Sequence, residues 1–221
     1  MERHFDDELD LLKQKMLTMA DSAQAMIGLA VKALTERKES YTEDVLNLEG
    51  QVNHLEIEIE EEVLRLLALR QPAAKDLRLL TALLKINNDL ERVADQACNI
   101  AGTVRFMLKE PPLRSPINIS HMAQVAQQMI KNSIEAFVHH DTALAKRVCE
   151  QDDEVDRLNE QVFRVLLTYM MEDPKSITRA VDLILVSRNL ERIADHATNI
   201  SEEVVFIEDG RNIKHHLQEP L

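Results

Sequence analysis

The sequence predicts an all-α protein built as two tandem three-helix bundles of antiparallel, up-and-down helices. Three observations predict it. Leu, Ala, Glu, Arg, Lys and Met dominate, whereas aromatic residues make up 3%, Trp is missing and 221 residues contain only 4 glycines. Those residues favour helix, while sheets draw on aromatic and β-branched side chains and on turn glycines. Apolar residues recur at three- and four-residue steps in six long segments, which marks one buried face per helix. Finally, a thirteen-residue motif occurs twice, once in the last segment of each half of the chain.

The first helix is expected over about residues 6–38, with Leu9, Leu12, Met16, Met19, Ala23, Met26, Ile27, Ala30 and Leu34 on its apolar face. Met16, Met19 and Met26 read as core, since the pliant thioether fills irregular gaps between helices. A polar break at Ser40-Tyr41-Thr42 follows, with Thr42 as the expected N-cap of the second helix. That helix carries Val45, Leu48, Val52, Leu55, Ile59, Val63, Leu66 and Leu67 and stops near Arg70-Gln71-Pro72, because proline clashes with a preceding helical turn. The third runs over about 73–108, with Leu77, Leu80, Leu83, Leu84, Leu90, Ala94, Ala97, Ala101 and Val104 inward.

Glu110-Pro111-Pro112-Leu113-Arg114-Ser115-Pro116 then interrupts the helical pattern. Residues 1–110 are therefore expected to form the first bundle, 111–119 a linker, 120–210 the second bundle and 211–221 a polar tail. In the second bundle the helices are expected over about 120–139, 142–172 (ending at Asp173-Pro174) and 176–208, the last closed by Gly210. Long antiparallel helices joined by short turns pack as bundles.

The duplicated motif carries the functional signal. Residues 88–100, with Leu90-Glu91-Arg92-Val93-Ala94-Asp95 and Asn99, align with residues 188–200, with Leu190-Glu191-Arg192-Ile193-Ala194-Asp195 and Asn199. Shared Leu and Ala follow from any two amphipathic helices; shared Glu, Asp and Asn do not. Glu91, Asp95 and Asn99 are spaced four apart, as are Glu191, Asp195 and Asn199, and such residues stack on one helical face. The second helix of each half offers a matching stripe: Glu49 and Asn53 in the first, Asp152 and Asp156 in the second. Between antiparallel neighbours these side chains gather oxygen donors around one place. Clustered carboxylates call for a counter-charge, and a hard or borderline metal cation with a preference for oxygen supplies one. The plainer alternative is a solvated acidic face paired with Arg92 and Arg192.

The twin motif, with Arg70-Gln71-Pro72, Asp76-Leu77-Arg78 and Leu167-Thr168-Tyr169-Met170-Met171-Glu172-Asp173, resembles the PhoU family over roughly residues 5–207. The resemblance implies two similar three-helix bundles and multinuclear metal clusters. By position it implies Glu49, Asn53, Glu91, Asp95, Asp152, Asp156, Glu191 and Asp195 as ligands, with Asn99 and Asn199 as ligands or their neighbours. Iron or zinc is the metal expected first, with magnesium or manganese as alternatives. It further implies a negative regulator of phosphate uptake and of the phosphate-starvation response, in contact with a phosphate ABC transporter and a sensor histidine kinase. A homodimer through an apolar helix face is expected on general grounds.

Composition narrows the other classes. A net charge of −13 repels phosphate backbones, so nucleic acid is not an expected partner. No apolar stretch approaches the ~20 residues of a membrane span. Glu2, Asp6, Asp7, Glu8 and Asp10 argue against a signal peptide at the start, and two isolated cysteines, Cys98 and Cys149, fit a reducing cytoplasm better than a disulfide framework. No enzyme is expected. No His follows a Glu or Asp by three residues, which removes the ferritin-like di-iron pattern, and neither HExxH nor a glycine-rich phosphate loop occurs. His139-His140 and His215-His216 sit at a helix end and in the tail and read as solvated. A metal-independent helical adaptor is the alternative function.

Overall fold

In a computed structural model of the chain, residues 2–70, 72–113, 117–211 and 213 are described, without the side chains of residues 2–4 and 6. Gln71, the linker residues 114–116 and the tail beyond Arg211, apart from Ile213 but including His215-His216, lie outside the described residues. Among the described residues there are six α-helices and no strand: α1 Glu2–Glu36, α2 Ser40–Arg70, α3 Ala74–Met107, α4 Ile119–His139, α5 Thr142–Glu172 and α6 Ile177–Asp209.

Local chemistry sets most boundaries. Asn118 caps α4 by accepting from the His121 N–H at 3.0 Å, and Asp141 caps α5 by accepting from the Leu144 N–H at 2.9 Å. Asp173 and Pro174 end α5 and start a single 3₁₀ turn before α6. Gly210 closes α6 in the left-handed region at φ 68°. The first break differs from expectation. Ser40–Thr42 is the first turn of α2, and buried Thr42 donates its hydroxyl to the Glu39 carbonyl at 2.7 Å instead of capping. The chain reverses at Arg37, a non-glycine residue at φ 53°. Its guanidinium donates to the carbonyls of Leu108 (3.1 Å), Glu110 (2.6 Å) and Met107 (3.4 Å), which fastens the α1–α2 turn to the end of α3.

The helices form two layers. α2, α3, α6 and α5 lie side by side, and α1 and α4 cover one face of that row, α1 over α2 and α3, α4 over α5 and α6. Each half is a three-helix unit, but the halves meet through an extensive α3–α6 contact and through α1 against α4. One continuous apolar core runs through both, from Leu12, Met16, Met19 and Met26 of α1 to Val186, Leu190 and Ile193 of α6. Leu77 departs from the expected inner face: it is 45% exposed, on the outer side of the row where no helix covers it, while Leu79 and Leu80 are buried.

Candidate metal centre

α5 and α6 run antiparallel, in a register fixed by the Ser187 hydroxyl donating to the Asn159 side chain at 2.8 Å. That register sets Asp152 and Asp156 of α5 against Glu191 and Asp195 of α6. Their charges act on one another. Loss of solvent pushes the Asp152 carboxyl up from 3.8 to about 7, with repulsion from Asp195, Asp156, Asp153 and Glu191 adding to it. Desolvation and then Asp195 and Asp156 raise Glu191, against the pull of Arg188 and Arg192. Asp195 is raised by desolvation and by Asp156; much of its surface stays exposed, so water softens this shift. Asp152 Oδ1 is buried and has no hydrogen-bond partner. A buried acceptor without a donor, inside four mutually repelling carboxylates, is a place that gains from a cation.

The first half is a weaker version. α2 and α3 are joined where Asn87 donates its amide to the Glu56 carbonyl at 2.9 Å. Glu91 is raised, first by desolvation and then by Asp95. Glu49 faces Cys98: burial first, then the Glu49 charge, pushes that thiol up to about 12. Here Arg92 lies 3.6 Å from both the Glu91 and the Asp95 carboxylates, partly neutralising the stripe. Asn53 and Asn99 are exposed. The donors present fit a hard or borderline cation in the second half, with Asp152, Asp156, Glu191 and Asp195 to hold it, and less fully in the first, with Glu49, Glu91 and Asp95. Among the described residues, no three His, Cys, Asp or Glu side chains already converge closely enough to enclose an ion. Like charges stand apart unless something of opposite sign draws them in.

Asn199 also contacts the other half. Its amide donates to Asp89 of α3 at 3.2 Å, and His196 Nδ1 lies 2.8 Å from the same oxygen. The Asn199 amide nitrogen therefore serves the seam between the halves. Asp89 and His196 had no place in the sequence reading. Their signal lies in the repeat: the motif has Asp89 and Gln96 in one copy, Asn189 and His196 in the other. The copies differ where α3 meets α6. Near that seam Lys85 donates to both oxygens of the buried Glu203 carboxylate at 3.0 Å.

Three comparisons place this architecture among known proteins. The sequence profile of the PhoU domain matches residues 16–104 and again residues 119–204. The chain is 40% identical over 213 residues to the phosphate-specific transport system accessory protein PhoU homolog of Aquifex aeolicus, covering 96% of each, and 37% identical to that of Pseudomonas putida, covering 96% of this chain and 84% of the other. The crystal structure of PhoU from Pseudomonas aeruginosa superposes with a TM-score of 0.91 at 36% identity, covering 94% of this chain and all (100%) of that one. That of the phosphate transport system regulatory protein PhoU from Streptococcus pneumoniae gives 0.87 at 28% identity over 94% of this chain and 98% of the other.

Proposed function

The chain belongs to the PhoU family, and on that premise we propose that it is an accessory protein of a phosphate-specific transport system that holds uptake and the phosphate-starvation response in check. It acts by contact, linking a phosphate ABC transporter to a sensor histidine kinase on the cytoplasmic side, and performs no bond-making of its own. No described helix is long and apolar enough to cross a membrane, so a transporter would reach it through protein surfaces. Its acidic clefts take metal: iron or zinc first, magnesium or manganese otherwise. The cation neutralises each cleft and draws together the two helices that line it. The observation that supports metal most is the orphaned, buried Asp152 oxygen among Asp156, Glu191 and Asp195.

Elemental analysis tests this on protein purified without a histidine tag or chelator. Stoichiometric metal is expected in the parent, with most of it lost in Glu191→Ala/Asp195→Ala and less lost in Glu91→Ala/Asp95→Ala. A starvation-response reporter in cells lacking their own copy reads the regulatory role: the parent restores repression at high phosphate. One observation favours a metal-independent adaptor in the first half, the pairing of Arg92 with Glu91 and Asp95. Parent and both variants with equally little metal would extend that reading to the whole molecule.

A further inference from the structure

The outer face of the four-helix row is uneven. On α5, Phe163, Leu167 and Met171 advance by four residues, and on α6, Ile177, Val181 and Leu185 do the same; all six are between 42% and 78% exposed. Four-residue steps keep each set on one side of its helix, and the antiparallel register lays the two stripes side by side. Phe163 and Ile184 share a groove with Asp156, Glu160 and Glu191, so the apolar surface runs directly into the acidic one. Among the described residues, Arg188 is the single basic residue lining that groove, against three carboxylates. The α3–α6 register set by Lys85–Glu203 and Asp89–His196 brings Phe106, 66% exposed, level with Val181.

The other half repeats this only in part: Leu64 and Leu77, 52% and 45% exposed, stand where the second half has Leu167 and Ile177. Aligning the acidic stripes of α2 with α5 and of α3 with α6 puts Glu60, Thr81 and Lys85 where the second half has Phe163, Val181 and Leu185, and Lys85 is held by Glu203. The halves thus share the acids, the core and the ends of the stripes but not the middle of this apolar surface, Phe163, Val181 and Leu185, which neither the fold nor the metal requires. Contiguous exposed apolar surface rimmed by charge marks an interaction site.

We propose that the α5–α6 groove receives an amphipathic helix of a partner protein. Apolar side chains at i, i+3 or i+4 and i+7 of that helix lie along Phe163, Leu167, Val181 and Leu185, and Lys or Arg at one end reaches Glu160, Asp156 and Glu191. The idea rests on the reading that the chain works by protein contact. Charge selects the occupant. A second copy would bring two acidic bands face to face on chains that each carry a net charge of −13, so a homodimer forms through another face. An anionic lipid surface is repelled for the same reason. Glu160 lies outside the candidate ligand set and pairs with Arg164 of its own helix in an exposed ion pair; such a pair contributes little, so a basic helix can take over Glu160 when metal fills the inner carboxylates.

The test uses the whole chain, metal-loaded and chelator-treated, and a fluorescein-labelled synthetic helix with Leu at that spacing and Lys at one end. Fluorescence anisotropy should show binding that weakens by about tenfold or more in Leu167→Asp and Val181→Asp, as for a hot-spot residue. Glu160→Lys and a peptide with Glu in place of Lys should weaken it too, whereas Thr81→Asp should not, all with unchanged circular dichroism. No binding by the parent, equal binding by Val181→Asp, or equal loss in Thr81→Asp overturns the proposal. So does a dimer that Leu167→Asp dissolves in sedimentation, or capture of the chain by phosphatidylglycerol vesicles. The reporter separates this from the family reading: Val181→Asp that binds no peptide yet still represses removes the groove from regulation and leaves the reading intact, whereas failure of the parent to repress removes the reading itself.

Discussion

At the scale of single residues, Asp152 has the clearest consequence. Its folded form retains a proton that the unfolded chain has lost over the window from 3.8 to about 7. The metal-free protein therefore becomes less stable as pH rises through that window. Asp152→Asn removes the carboxylate, and the metal-free variant should be more stable than the parent at pH 8 by about 1–2 kcal/mol, with the excess gone near pH 4. Urea titrations across pH measure this, and identical pH profiles would show that Asp152 is neither desolvated nor pressed by its neighbouring carboxylates. The acids of the cleft were legible in the sequence because a duplicated polar pattern is poorly explained by packing. Asp89 and His196 were not, because their contact joins residues far apart in the chain and spans two copies of the motif. His196 directly follows Asp195, so on its own helix it turns away from the acidic stripe, and it points to α3.

At the scale of elements, the turns show what pattern reading reaches. Asp173-Pro174 and Gly210 announced themselves, since proline and glycine restrict or free the backbone in ways that sequence states directly. Arg37 did not: nothing marks an arginine as the residue that turns left-handed. His140 takes the matching position after α4 at φ 55°, and its Nδ1 lies 2.5 Å from Glu208 near the end of α6. Both turns thus use a long polar side chain to hold the far end of the third helix in their own half. Two effects oppose each other at Arg37. Glycine would relieve the backbone by roughly 1 kcal/mol, while losing the guanidinium removes its charge-assisted bonds to three carbonyls, which contribute about 1.5–3 kcal/mol. Both Arg37→Gly and Arg37→Ala should therefore destabilise, and Ala by about 1 kcal/mol more. Thermal melts of the two variants decide it; a Gly variant more stable than the parent would mean that the clamp contributes nothing.

At the scale of the molecule, the proline-rich stretch near the middle suggests two independent bundles, and each half does form a three-helix unit. What sequence periodicity did not convey is that α3 and α6 each bury a second face against the other, so that the cores merge. A helix apolar on more than one side reads in sequence as only a broader stripe. The merged core predicts one cooperative calorimetric transition for the whole chain, with calorimetric and van't Hoff enthalpies in agreement. Two separated transitions would mean that the α3–α6 seam is too weak to couple the halves.

That seam has a further consequence. Two copies of one unit, antiparallel across α3 and α6, are arranged as a self-paired dimer would be, and in such a dimer every substitution is made twice, once on each side of the axis. Linking the copies in one chain lifts that constraint. Asp89 can face His196 while the mirror positions hold Gln96 and Asn189, and Leu185 can be apolar while Lys85 binds Glu203. The fused chain is in effect a heterodimer of its own halves, free to keep the acids on both sides and to change one surface without its twin.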